Sequence, residues 1–242
     1  MTTVLKLGGS VITRKDTPET VDREALEQAA SALAGVEDIV VVHGAGSFGH
    51  HHADAHGVSS EDGTDDPVAV REIHGAMKRL NGSVLDALGA VDVPAVPVHP
   101  LSSASRTTDG ELVLHTRPVE TMLEEGFVPV LHGDVVSHDE RGATILSGDE
   151  LVVELTRQLD ADRIGVCSAV PGVLDERGDV IETIDSFEAV ESVLGGSDAT
   201  DVTGGMSGKV RTLLSIPVSA TIFDLDGLGA FLDGETPGTT IE

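Results

Sequence analysis

Lys6-Leu7-Gly8-Gly9-Ser10 and Gly44-Ala45-Gly46-Ser47-Phe48-Gly49-His50 decide how this chain reads. Each follows a short apolar run, Val4–Leu7 and Ile39–Val42. A strand that ends in a glycine turn and passes into a helix presents unpaired N–H groups at the positive end of a helix dipole, the usual cradle for phosphate. Lysine usage points the same way. Only four lysines occur, and three lie beside glycines: Lys6 within the first turn, Lys15 just after it, and Lys209 in Gly204-Gly205-Met206-Ser207-Gly208-Lys209. A compact ammonium next to bare backbone amides supplies positive potential to a polyphosphate at short range without steric bulk.

Competing motif readings fail on context. The second turn fits G-x-G-x-x-G, but a dinucleotide site needs a further strand and an acidic residue about twenty positions on. Here His50–His56 follows, and then the polar stretch Ser59–Asp66. A Walker A loop fails because Thr203 and Val210 stand at its first and last positions. The histidines at 43, 50, 51, 52 and 56 lack an H-E-x-x-H spacing or a cysteine partner, so no metal site is expected. His51 and His52 read as surface histidines in a loop. His50 differs, since it closes the glycine turn and can face whatever the amides bind.

Composition sets the outer bounds. The 242 residues are 40% hydrophobic, with five Phe and no Trp or Tyr, so the core must be aliphatic. The single Cys167 rules out an internal disulfide and a thiolate metal cluster, consistent with a reducing cytoplasm. No apolar run is long enough for a membrane span, and a strand-like segment begins at once, so neither a span nor a signal peptide is expected. The net charge of −27, from 42 acidic and 15 basic residues, excludes a basic nucleic-acid face. Such self-repulsion is blunted at about 1 M salt, where the Debye length is roughly 3 Å. A salt-adapted cytoplasmic protein is expected, with an acidic mesophilic enzyme as the alternative.

The rhythm along the chain is α/β. Strands are expected at Val4–Leu7, Asp38–Val42, Ala95–Val98, Phe127–Leu131, Arg163–Cys167 and Ser219–Phe223. Their continuous Val, Ile and Leu content suits a mainly parallel sheet covered on both faces. Asp22 can cap a helix over Arg23–Leu33, Pro67 can open one to about Leu88, and Asp149 can start one to about Leu159. Segments 101–116 and 132–147 read as hairpins or short strands. Two lobes, 1–147 and 148–242, are expected to share one continuous sheet as a single structural domain.

Taken in order, the segments resemble the amino acid kinase superfamily and, within it, the isopentenyl phosphate kinase family. The resemblance rests on Lys6–Ser10 with Lys15, Val42–His50, Pro129-Val130-Leu131-His132-Gly133-Asp134, Leu146-Ser147-Gly148-Asp149, Val170-Pro171-Gly172-Val173-Leu174, and Asp201–Met206 with Lys209. It covers nearly the whole chain. Two departures are visible: Ala45 stands where the family has glycine, and Ser168-Ala169-Val170 where it often has Thr-Asp-Val.

The resemblance implies a three-layer αβα sandwich, a homodimer, and transfer of the ATP γ-phosphoryl to isopentenyl phosphate with Mg²⁺. It places Lys6 and Lys209 on the ATP phosphates and Lys15 at the transition state. Gly8, Gly9, Ser10 and Gly46 would meet ATP phosphates, and Ala169, Gly172 and Gly204 would border the nucleotide. Ala45, Gly46, Gly49 and Gly148 would cradle the reacting phosphates, with His50 donating to the acceptor. Asp149 would orient the lysines, and Mg²⁺ would sit on phosphate oxygens with no protein metal site. The acceptor lobe would be 1–147 and the nucleotide lobe 148–242. The stripe Val70, Ile73, Met77, Leu80 and Val84 has helical spacing and suits core packing; Ile73 and Met77 are the candidates for lining the isopentenyl tail. Two other readings share these motifs: a kinase for a small phosphonate such as fosfomycin, and a non-catalytic nucleotide-binding regulator.

Overall fold

The computed structural model describes residues 1–194 and 205–242. Its strands are β1 (Thr3–Leu7), β2 (Ile39–His43), β3 (Ala95–Pro97), β4 (Ala104–Arg106), β5 (Leu112–Leu114), β6 (Val128–His132), β7 (Asp134–His138), β8 (Gly142–Leu146), β9 (Arg163–Cys167), β10 (Thr183–Ile184), β11 (Ala220–Phe223) and β12 (Thr239–Ile241). The helices are α1 (Gly9–Ile12), α2 (Arg23–Ala32), α3 (Gly46–His56), α4 (Pro67–Gly89), α5 (Pro100–Ser103), α6 (Arg117–Glu124), α7 (Gly148–Gln158), α8 (Glu191–Leu194), α9 (Gly205–Leu213) and α10 (Leu228–Leu232).

The main sheet runs β10-β12-β11-β9-β1-β2-β6-β3, parallel throughout except for the β11–β12 pair. Strands after residue 148 form one half and strands before it the other, joined where β1 pairs with β9. Side chains alternate across a strand, and the core divides accordingly. Val4, Val40, Val42 and Val166 face one cluster with Leu151 and Leu155 of α7 and Val210 of α9. Leu5, Val41 and Val130 face another with Leu26 of α2, Leu80 and Val84 of α4, and Phe231 of α10. Each fully buried aliphatic side chain contributes about 1.5–3 kcal/mol relative to exposure.

A second sheet, β5-β4-β7-β8, is built from two antiparallel hairpins within segments 101–116 and 132–147, where hairpins or short strands are expected. It packs on α3 and α4 through Val135, Ala143, Ala53 and Ile73. Among the helices, Asp22 accepts from the Ala25 N–H at 3.4 Å and Asp66 from the Val68 N–H at 2.8 Å, with Pro67 in the first turn. Two expectations need correction. The helix expected from Asp149 begins at Gly148, because Ser147 is the better cap: its hydroxyl accepts from the Glu150 N–H and the Glu150 carboxylate accepts from the Ser147 N–H. His51 and His52 lie on α3 and not in a loop, since the second glycine turn feeds directly into that helix.

Candidate active site

Four parallel strands end at one level. Leu7 is in register with His43 and with Cys167, and His43 is in register with His132. The residues that follow, Gly8, Gly44, Gly133 and Ser168, all line a single cavity of about 430 Å³. Open α/β sheets bind ligands beyond the carboxyl ends of their strands, so topology alone selects this spot.

The two glycine turns cross there. A Cβ on Gly9 would lie 2.2 Å from the Gly46 nitrogen, and Gly46 itself has φ +51°. Only glycine tolerates both the contact and the left-handed backbone. Thr13 ties the turns together, donating to the Gly9 carbonyl at 2.7 Å and accepting from the Ser47 N–H at 3.0 Å. Helices α3 and α7 begin at Gly46 and Gly148, both lining the cavity, so two N-termini bring positive potential to it.

Lys6 enters from β1 on the α7 side of the sheet. Its Nζ lies 2.6 Å from Asp149 Oδ1, with the two side chains 6% and 11% exposed. Burial alone would raise the Asp149 carboxyl, but the charges of Lys6 and Lys209 outweigh it and hold the group below the usual carboxylate range. Asp149 is therefore held as an anion, in contact with Lys6 and within the field of Lys209. Lys15 reaches the cavity from the exposed turn after α1. That turn is fastened to α3 and α4: the Glu19 N–H donates to Ser47, and the Glu19 carboxylate accepts from Arg79 and lies 2.6 Å from His52. Arg79, then His52, lower Glu19 to about 2.

Most of the expected residues are brought together. Lys6, Gly8, Gly9, Ser10, Lys15, Ala45, Gly46, Gly49, His50, Gly148, Asp149 and Lys209 all line the cavity, with Ile73 and Met77 at its apolar side. Ala169 and Gly172 do not: Ala169 is exposed beyond Ser168, and Gly172 is buried against Thr239 and Val180. Gly204 lies outside the described residues. Gly133, Asp134, Ser147 and Ser168 also border the cavity without having been given a role by the sequence reading, and so does His51, read there as a surface histidine. Gly133 and Asp134 had a usable signal, since they follow an apolar run as the two glycine turns do. Among the described residues no group of His, Cys, Asp or Glu has metal-ligating geometry, and no helix is long and apolar enough to cross a membrane.

Residues 1–221 match the amino acid kinase family model. The chain is 61% identical over 241 residues to the isopentenyl phosphate kinase of Haloferax volcanii, covering 98% of this chain and 97% of that protein. It belongs to the isopentenyl phosphate kinases of the amino acid kinase family. The isopentenyl phosphate kinase of Methanothermobacter thermautotrophicus is 38% identical, covering 87% of this chain and 85% of its own. A solved isopentenyl phosphate kinase superimposes with a TM-score of 0.87 at 30% identity, covering all of both chains. A substrate complex of an isopentenyl phosphate kinase does so with 0.77 at 25% identity, covering 99% of this chain and 100% of that one. As in those kinases, the three-layer fold has its mainly parallel sheet at the centre.

Proposed function

We propose that this protein transfers the γ-phosphoryl group of ATP to isopentenyl phosphate, giving isopentenyl diphosphate and ADP. The observation that carries the reading is the convergence of Lys6, Lys15 and Lys209 on a cavity floored by bare glycine backbone. A phosphate monoester has its second pKa near 6, so its attacking oxygen is largely deprotonated at neutral pH and needs no general base. The difficulty is holding two anions in line while charge grows on the transferred group.

Lys6 and Lys209 fit the phosphates of ATP, with the Asp149 carboxylate orienting them. Lys15 meets the transferring group from the exposed side. The amides of Gly8, Gly9 and the Ala45–Gly46 turn, with the Ser10 hydroxyl, fit phosphate oxygens. His50, half-buried on α3, fits the acceptor phosphate, and Ile73 and Met77 its tail. The acceptor then lies mainly against residues before 148, and the nucleotide against residues after it together with Lys6 and the Gly8–Ser10 turn. Asp149 is occupied by Lys6, so Mg²⁺ would be held by phosphate oxygens, where it neutralises charge on the transferred group. The same reading takes the enzyme as a homodimer in a salt-rich cytoplasm; the −27 net charge supports the salt requirement. Melting temperature should rise between about 0.1 M and 2 M KCl as screening shortens the range of repulsion; no change would remove the salt adaptation.

The test of function is ADP release with Mg-ATP against a panel of acceptors in molar KCl. Isopentenyl phosphate should give the highest kcat/KM. Preference for fosfomycin would replace the substrate assignment, and absence of turnover with every acceptor would leave a nucleotide-binding regulator.

A further inference from the structure

Beneath the cavity lies a group of histidines from four elements: His43 at the end of β2 and His132 at the end of β6, both buried, with His74 on α4 and His99 before α5, both half-buried. His43 and His132 are fully buried and stacked with ring centroids 5.4 Å apart. The two make the same unusual contact. His43 Nδ1 lies 3.1 Å from the carbonyl oxygen of Gly44, and His132 Nδ1 lies 2.9 Å from that of Gly133. A carbonyl only accepts, so each ring must carry its proton on Nδ1.

The remaining contacts agree with that tautomer. Burial, then the neighbouring His132, lower His43 to about 3, and burial lowers His132 as well, so both rings stay neutral at ordinary pH. A neutral ring that donates from Nδ1 must accept at Nε2. For His132 the donor is His99 Nδ1, 2.9 Å away. For His43 the neighbour is Asn81, and its amide must turn Nδ2–H toward the ring. In the opposite orientation, with Oδ1 at 3.1 Å, Nδ2 has no partner among the described residues.

In a trans peptide the C=O and the following N–H point in opposite directions, so holding one fixes the other. Fixing the Gly44 carbonyl sets the Ala45 N–H, and fixing the Gly133 carbonyl sets the plane of the peptide that joins β6 to β7. These two peptides meet at one place. A Cβ on Gly133 would sit 3.5 Å from the Gly148 nitrogen and 3.9 Å from the Ala45 nitrogen. The bare Gly133 thus keeps open the space next to two cavity-lining amides.

We infer that His43 and His132 are paired positioning residues: each imidazole clamps the carbonyl of the glycine after it, His43 so aiming the Ala45 amide of the phosphate cradle and His132 holding the Gly133 peptide that packs beside that amide. Neither ring needs to touch substrate. The kinetic half of this inference rests on the kinase reading; the tautomer half does not.

The test separates the two nitrogens. Asn at position 43 can place a donor where Nδ1 was, whereas Gln places its amide nearer Nε2. In molar KCl, His43→Asn should keep kcat within a few-fold of wild type and His43→Gln should lose about 10²-fold, the scale of a small misplacement of catalytic groups. Melting temperatures measured alongside separate folding from positioning. Equal losses in the two variants, or losses that track melting temperature, would overturn the inference. If neither variant folds, ¹⁵N-histidine NMR of the wild-type protein decides, with no substrate required. Besides His99, whose own Nδ1 donates to His132, two Nδ1–H tautomers neutral at pH 7 should appear, one removed by each of His43→Leu and His132→Leu or, where these do not fold, assigned by through-bond correlation. Nε2–H tautomers at either ring would contradict the clamp whatever the enzyme's substrate proves to be.

Discussion

Lys6 and Lys15 face one cavity from opposite circumstances. Lys6 sits on a central strand, 5% exposed, with Asp149 at 2.6 Å and two strands of parallel sheet beside it. Lys15 sits on an exposed turn, and its position depends on Glu19 being held by Arg79 and His52. A charge fixed in a water-poor site acts strongly on a developing anion and needs no reorganisation when the reaction occurs. A solvated charge is screened and must be brought to its place. The buried lysine should therefore matter more, and the exposed one should be sensitive to how its turn is anchored.

The largest expected effect is at Lys6. Lys6→Met keeps most of the volume and removes the charge, and kcat should fall about 10²–10³-fold. Steady-state kinetics under saturating Mg-ATP in molar KCl measures this. A variant within threefold of wild type would reverse the ranking of the two lysines. Lys15→Ala should lower kcat on the order of tenfold, because its solvated ammonium contributes less. Lys78, exposed on the outer face of α4, provides the silent control.

His50 sharpens the contrast from the acceptor side. His50→Ala should raise the acceptor KM about tenfold or more, the worth of one hydrogen bond to a charged group, with the ATP KM unchanged. His56, in the last turn of the same helix and outside the cavity, should give a change within twofold. His52 is not a clean control, because it bears on Glu19 and through it on Lys15. Equal losses at 50 and 56 would remove the phosphate-donor role.

The smallest effect belongs to the anchor. Glu19→Gln should cost about two- to fivefold in kcat, in line with a partly exposed ion pair. The pH sign follows from its lowered pKa of about 2. A depressed carboxylate gives its full stabilisation above the ordinary value of 4.5 and loses it as pH falls toward 2. Wild type and Glu19→Gln should thus differ by a constant factor from about pH 5 to 8. A ratio that varies across that window would place the anchor elsewhere.

Much of this was legible in the sequence, for local reasons. A glycine turn after an apolar run states both a strand end and a phosphate site, so Lys6–Ser10 and Gly44–His50 could be read without the fold. The parallel sheet followed from continuous Val and Ile runs. What stayed hidden depends on register or on side-chain contacts across the chain. The histidines at 43, 74, 99 and 132 come from separate elements, with no spacing that announces their meeting. Ser147 was passed over as the α7 cap because Asp149, two residues on, offers the same chemistry; the hydrogen bonds with Glu150 separate them. The link from Glu19 to His52 and Arg79 joins residues far apart in sequence, and only the packing of α3 on α4 brings them together.

The most direct measurement follows the phosphorus. Wild type and Lys6→Met, at equal concentration in about 2 M KCl with Mg-ATP and isopentenyl phosphate, are compared by ³¹P NMR. Wild type should convert the monoester resonance into a pair of coupled diphosphate resonances, one ADP appearing per diphosphate formed, while Lys6→Met shows almost none on the same timescale. ATP consumed with the monoester resonance unchanged, or equal diphosphate formation by both proteins, would contradict phosphoryl transfer through this lysine-lined cavity.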